Sequence, residues 1–172
     1  MGSLEPEQLN ARLRALAEKY AQVARETLGE NLTSVVLFGS VARGEAHARS
    51  DIDLFVVARS LPKGAFRRRE LVEPIRQGLE PELEELWKRG IYTDFVEIIR
   101  TEEEARRFHT LYLDMTEEAV ILYDRNGFFA EVLERVRRKL RKLGAQRRRL
   151  GHAWYWDLKP DYKPGEEIDL SL

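Results

Sequence analysis

The stretch Phe38-Gly39-Ser40-Val41-Ala42-Arg43-Gly44-Glu45-Ala46-His47-Ala48-Arg49-Ser50-Asp51-Ile52-Asp53-Leu54 carries most of the information in this chain. On its N-terminal side the apolar run Ser34 to Phe38 stops at Gly39-Ser40, and on its C-terminal side a second run extends from Ile52 to Val57. Both runs are rich in β-branched and aromatic residues and read as buried strands. The glycine lets the backbone turn sharply and approach a ligand closely. Small residues follow it, so the first amides of a short helix can face an anion, with the Ser40 hydroxyl as a further donor. Asp51 and Asp53 are two residues apart, which places both on one face of the second strand and Ile52 and Leu54 on the other. Carboxylates so placed repel each other and stay ionised cheaply only with a cation between them. Hard oxygen ligands select Mg²⁺ or Mn²⁺ over zinc. A surface turn followed by two solvated aspartates is the plainer reading, but it leaves the apolar character of both strands unexplained.

Outward from this stretch the pattern alternates between helix and strand. Leu9, Leu13, Leu16, Tyr20, Val23 and Leu28 form one apolar stripe on an N-terminal helix that ends near Gly29. A helix is expected from about Phe66 to Lys88, with breaks near Pro74 and Pro81, and a third strand from Ile91 to Ile99. Thr101 and Glu104 have the spacing of a capping box and predict a helix reaching about Leu113. A short strand over Val120–Tyr123, a turn at Asp124–Gly127 and a last helix from Phe128 to Leu143 complete the pattern. The expectation is an α/β (α+β) fold, a mixed sheet flanked by helices, over residues 1–127. Residues 128–172 follow as a basic helix and an aromatic, Pro-containing tail laid in extended form over the domain or a partner.

Composition narrows the function classes. The chain has 172 residues, 43% hydrophobic, enough for a core, and no cysteine, so disulfides, thiolate zinc sites and cysteine nucleophiles are excluded. Lys plus Arg is 29 against 30 for Asp plus Glu, which excludes a uniformly basic coat. That balance conceals asymmetry: residues 70–104 hold eleven acids against four bases, and residues 131–149 hold nine Lys or Arg against two Glu. The basic run is either the solvated face of a helix or a footing for RNA or an acidic protein, and the solvated face is the commoner case. No apolar run spans a bilayer, and the Met1–Glu7 segment lacks the pattern of a signal peptide. A soluble, cytoplasmic protein is expected, with no membrane partner and with a homo-oligomer left open.

Gly39-Ser40, Arg43-Gly44 and Ser50-Asp51-Ile52-Asp53-Leu54 together resemble the signature of the DNA polymerase β-like nucleotidyltransferase superfamily, and within it the minimal nucleotidyltransferases of archaea and bacteria. The signature covers about seventeen residues. The resemblance implies a nucleotidyltransferase fold, Mg²⁺ or Mn²⁺ as cofactor, and ATP or another nucleoside triphosphate as substrate. It places the nucleotide at Gly39, Ser40, Arg43 and Ser50, although Arg43 suits a surface ion pair equally well. It makes Asp51 and Asp53 catalytic metal ligands and implies a third carboxylate on a later strand. Asp94 and Glu97 are the choices. They are three apart, so a regular strand points them to opposite faces, and Asp94 fits the family context better. The resemblance further implies a role as antitoxin to a helical HEPN-type partner that receives AMP. A non-catalytic binding protein and an RNA-modifying transferase are the rival readings.

Overall fold

The computed structural model describes residues 4–172; the first three residues of the N-terminal segment discussed above lie outside them. A four-stranded mixed sheet forms the centre, in the order β3-β2-β1-β4. Strands β1 (Leu32–Phe38) and β2 (Ile52–Ala58) are antiparallel, β4 (Val120–Asp124) is antiparallel to β1 on its other side, and β3 (Phe95–Thr101) runs parallel to β2. Residues β1 and β2 send to alternate faces are nearly all buried because helices cover both sides of the sheet. One layer is built by α1 (Pro6–Leu28), α3 (Ala65–Gly78) and α4 (Glu80–Lys88), packed on Leu32, Val35, Leu37, Ile52, Leu54 and Val56. The other is built by α5 (Glu102–Ala105), α6 (Leu111–Glu118) and α7 (Phe128–Leu143), packed on Val36, Phe55 and Val57. No helix among the described residues is long and apolar enough to cross a membrane.

Four elements depart from the sequence reading. Pro74 does not interrupt α3; the break falls at Gly78–Leu79, and Pro81 sits in the first turn of α4, where its missing N–H is no loss. The third strand begins at Phe95, not Ile91, because Ile91–Asp94 run along the Ala48 loop and the start of β2: the Tyr92 N–H donates to the Ala48 carbonyl and the Ile52 N–H to that of Asp94. The Thr101 capping box is formed, but its helix stops at Ala105 and a new one starts at Leu111. The Tyr112 hydroxyl donates to the Ala105 carbonyl across this corner and satisfies the broken end. Finally, the segment after α7 is no simple strap: β5 (Gln146–Leu150) and β6 (Ala153–Asp157) form an antiparallel hairpin, a sheet separate from the central one. α7 itself buries Phe129, Val132, Leu133, Val136 and Leu140 against the sheet and leaves its basic face outside.

Candidate active site

The end of β1, the start of β2 and the start of β3 meet at one end of the sheet. β1 finishes at Phe38, opposite Asp53 of β2, and the chain turns at Gly39 into α2 (Gly39–Arg43). Gly39 has φ +74°, and a Cβ there would stand 2.1 Å from the Asp53 Oδ2. Both its left-handed backbone and the close passage of the carboxylate demand glycine. α2 starts without a side-chain cap, so its first amides are not taken by a capping oxygen. Asn10 of α1 clamps the region: its amide donates to the Val41 carbonyl at 3.2 Å and its carbonyl accepts from the Ala46 N–H at 3.1 Å. Sequence reading missed Asn10; a lone amide beside the apolar stripe of α1 was the available signal.

Asp51 is exposed and Asp53 half-buried. Among the described residues neither carboxylate has a hydrogen bond or ion pair with a side chain. The Asp53 carboxyl is raised above the ordinary aspartate range, first by burial and then by the charge of Asp51, with Arg43 acting in the opposite sense. Two acids left in mutual repulsion, in oxygen-only company, fit a hard divalent cation.

Asp94 is at the same sheet end but is otherwise engaged. Both its oxygens accept from the Arg76 guanidinium at 2.8 Å, and one also accepts from the Phe95 N–H. The opposite-face argument fails for it because β3 starts one residue later, and Asp94 turns to cap that start. Glu97 lies within β3, on the face of Phe95 and Ile99 that packs toward α1. It accepts from the Tyr20 hydroxyl at 3.2 Å and from the other Arg76 nitrogen at 2.9 Å. Burial raises Glu97 above the ordinary glutamate range, with the Arg76 charge and the Tyr20 hydrogen bond working against it. Among the described residues no three acidic or histidine side chains are gathered closely enough to hold a metal together. The structure thus brings Asp51 and Asp53 together and leaves Asp94 in the grip of Arg76, a residue that sequence reading did not single out.

Ser50 and Arg43, two further expected residues, are engaged with other parts of the chain. Ser50 is buried, and its hydroxyl accepts from the His47 N–H at 2.9 Å, bracing the loop before Asp51. Arg43 is in ion pairs with Glu45 at 2.8 Å and Glu118 at 3.4 Å.

A glycine turn pressed onto paired, uncompensated carboxylates at the end of a mixed sheet suits the class of enzymes that transfer phosphorus-linked groups. Within that class the assignment is definite. The nucleotidyltransferase domain model matches residues 18–123, and the chain belongs to that family and is a nucleotidyltransferase. It is also similar to a proposed protein adenylyltransferase of Methanocaldococcus jannaschii, 28% identical over 76% of this chain and 85% of the relative. Among solved structures it resembles a proposed nucleotidyltransferase of Sulfolobus solfataricus, 24% identical over 73% of this chain and 93% of the other, with a TM-score of 0.47. It also resembles a chain of the MntA-HepT toxin-antitoxin, 16% identical over 76% and 92%, with a TM-score of 0.43.

Proposed function

We propose that the protein transfers AMP from ATP to a hydroxyl of a protein acceptor, in a reaction that needs Mg²⁺ or Mn²⁺. The observation that carries the reading is the uncompensated Asp51–Asp53 pair against Gly39, in a chain of the nucleotidyltransferase family. A divalent ion held by Asp51 and Asp53 would neutralise the phosphates and align the acceptor with the α-phosphorus. The Gly39–Ser40 turn supplies amide and hydroxyl donors to the triphosphate. The acceptor oxygen bonds to the α-phosphorus, the bond to the β-phosphate oxygen breaks, and pyrophosphate leaves. The hydroxyl proton passes to a nearby carboxylate, for which Asp94, once released from Arg76, is the candidate and the third metal ligand. Arg43 turns to the phosphates if it leaves Glu45. A protein acceptor is supported by the M. jannaschii relative's name; a HEPN-type partner and an antitoxin role rest on the motif resemblance alone.

Calorimetry with ATP tests the metal-dependent part. Binding is expected with Mg²⁺ or Mn²⁺ and is expected to disappear in EDTA, because the acids repel a bare polyanion. Equal affinity in both buffers would overturn the carboxylate clamp.

A further inference from the structure

The β5–β6 hairpin lies beyond the region matched by the family model and has no part in the chemistry above. It belongs to a segment, residues 135–156, with nine Lys or Arg and no acid. Its two faces carry the same combination. On one, Arg148 lies opposite Tyr155; on the other, Arg149 lies opposite Trp154 and Arg147 opposite Trp156. Arg147 and Arg149 stand over the Trp154 ring at 5.0 and 5.8 Å, which orders the indole without burying it. Trp154 and Tyr155 remain 54% and 46% exposed, far more than a packing role needs.

The root of the hairpin is fixed while its tip is free. The Trp156 indole N–H donates to Asp114 at 3.1 Å, and Arg147 pairs with both Asp114 and Glu118. Glu118 also holds Arg43 of the helix that follows Gly39. One carboxylate therefore roots the ribbon beside the phosphate-facing turn. Toward the tip, Arg149 has no acidic partner, and Lys142 on the adjoining helix has none either, among the described residues.

We propose that this hairpin, with the exposed basic face of α7, is a binding platform for single-stranded nucleic acid, placed next to the transfer site. Guanidiniums interleaved with exposed aromatic rings on a two-stranded ribbon meet the two repeating features of such a strand, its phosphates and its unstacked bases. Most other cations of the segment are in exposed surface pairs, Arg148 with Asp157, Arg141 with Glu134 and Lys139 with Asp169, and the phosphates of a polyanion can replace such weak pairs at any register. The proposal goes beyond the protein-acceptor reading and does not depend on it.

Fluorescence anisotropy of the full chain with a labelled 20-nucleotide oligo(U) RNA tests it. Binding is expected at low salt and should weaken steeply as salt rises. Tyr155→Ala and the double variant Arg148→Ala/Arg149→Ala should each weaken it about tenfold. Trp154→Phe should retain most of it, and an RNA duplex of equal length should bind less tightly than the single strand. Asp53→Asn should leave RNA binding unchanged, so a failure of the catalytic reading stays separable from a failure here. Thermal melts identify any hairpin variant that unfolds; Tyr155→Ala removes an exposed ring and is expected to melt as the native chain does. No binding at low salt, equal binding of duplex and single strand, or native affinity in the folded hairpin variants would each overturn the proposal.

Discussion

Two sets of acids occupy the same end of the sheet and have opposite fates. Asp94 and Glu97 are both held by one arginine, and Glu97 is 5% exposed at its side chain with a tyrosine hydroxyl on its second oxygen. Asp51 and Asp53 have no such partner, and the glycine beside them brings a backbone closer instead of a cation. The difference separates architecture from chemistry. Where the chain neutralises its own carboxylates, they fasten layers together: Arg76 comes from α3, Tyr20 from α1 and Glu97 from β3. Where it leaves them in repulsion, they stay free for the cation that the proposed reaction needs.

The sharpest way to break this contrast is to neutralise one acid of each set. Asp53→Asn should lower nucleotidyl transfer by at least about a hundredfold, since even outer-shell partners of metal ligands matter by 10–100-fold. Its metal-free melting temperature should hold or rise, because a repulsion is removed. Transfer at the native rate would leave Asp53 a structural residue only. Arg76→Met should do the reverse damage. It strands Glu97 in a buried site, and the chain should lose about 3–5 kcal/mol of stability by denaturant unfolding. A loss below about 1 kcal/mol would show that the arginine is not the fastener. Gly39→Ala probes the boundary between the two sets. Its methyl would collide with Asp53, so transfer should fall with Asp53→Asn, while the backbone strain should cost about 1–3 kcal/mol. A variant with native activity and stability would mean that the turn is looser than described.

The smallest effect concerns a neighbouring clamp of the structural kind. Arg68 donates two bonds to Glu104 at 2.7 and 2.8 Å, and these hold the Glu104 carboxyl down from 4.5 to about 2. A carboxyl lowered on folding adds stability above its unfolded pKa, and that contribution is lost as pH falls through the folded value. The melting temperature should therefore decline between about pH 4.5 and pH 2 partly on this account, and Arg68→Met should flatten the decline. Identical acid profiles for the two proteins would remove Glu104 from the explanation.

The contrast itself was only half legible in the sequence. Asp53 lies within β2, Asp51 directly precedes its first residue, and Gly39 directly follows the strand that β2 pairs with, so short-range spacing sufficed to place all three. The gripping of Asp94 was not legible, because Arg76 lies on a helix eighteen residues away, and side chains that meet through a crossover leave no periodic trace. The pleat argument failed at Asp94 for a related reason: alternation holds only inside a strand, and its ladder partners set the start at Phe95. The hairpin was hidden differently. Gln146-Arg147-Arg148-Arg149-Leu150 has low β propensity and no apolar alternation, and it pairs because Gly151-His152 turns it back on an aromatic strand.

The order of pairing in the sheet also bears on how the molecule assembles. β1 and β2 are antiparallel and joined by a short segment, so Gly39 and Asp53 meet by local closure, among the fastest events open to a folding chain. β3 is parallel to β2 and can dock only after the chain from Arg59 to Asp94, with α3 and α4 inside it, has crossed over. Loop-closure entropy rises slowly with length, but contacts spanning such a crossover are made late. This topology predicts that the turn and the uncompensated pair form early and that Arg76 and Asp94 meet later. During refolding, Asp51 and Asp53 would then meet before Arg76 closes on Asp94.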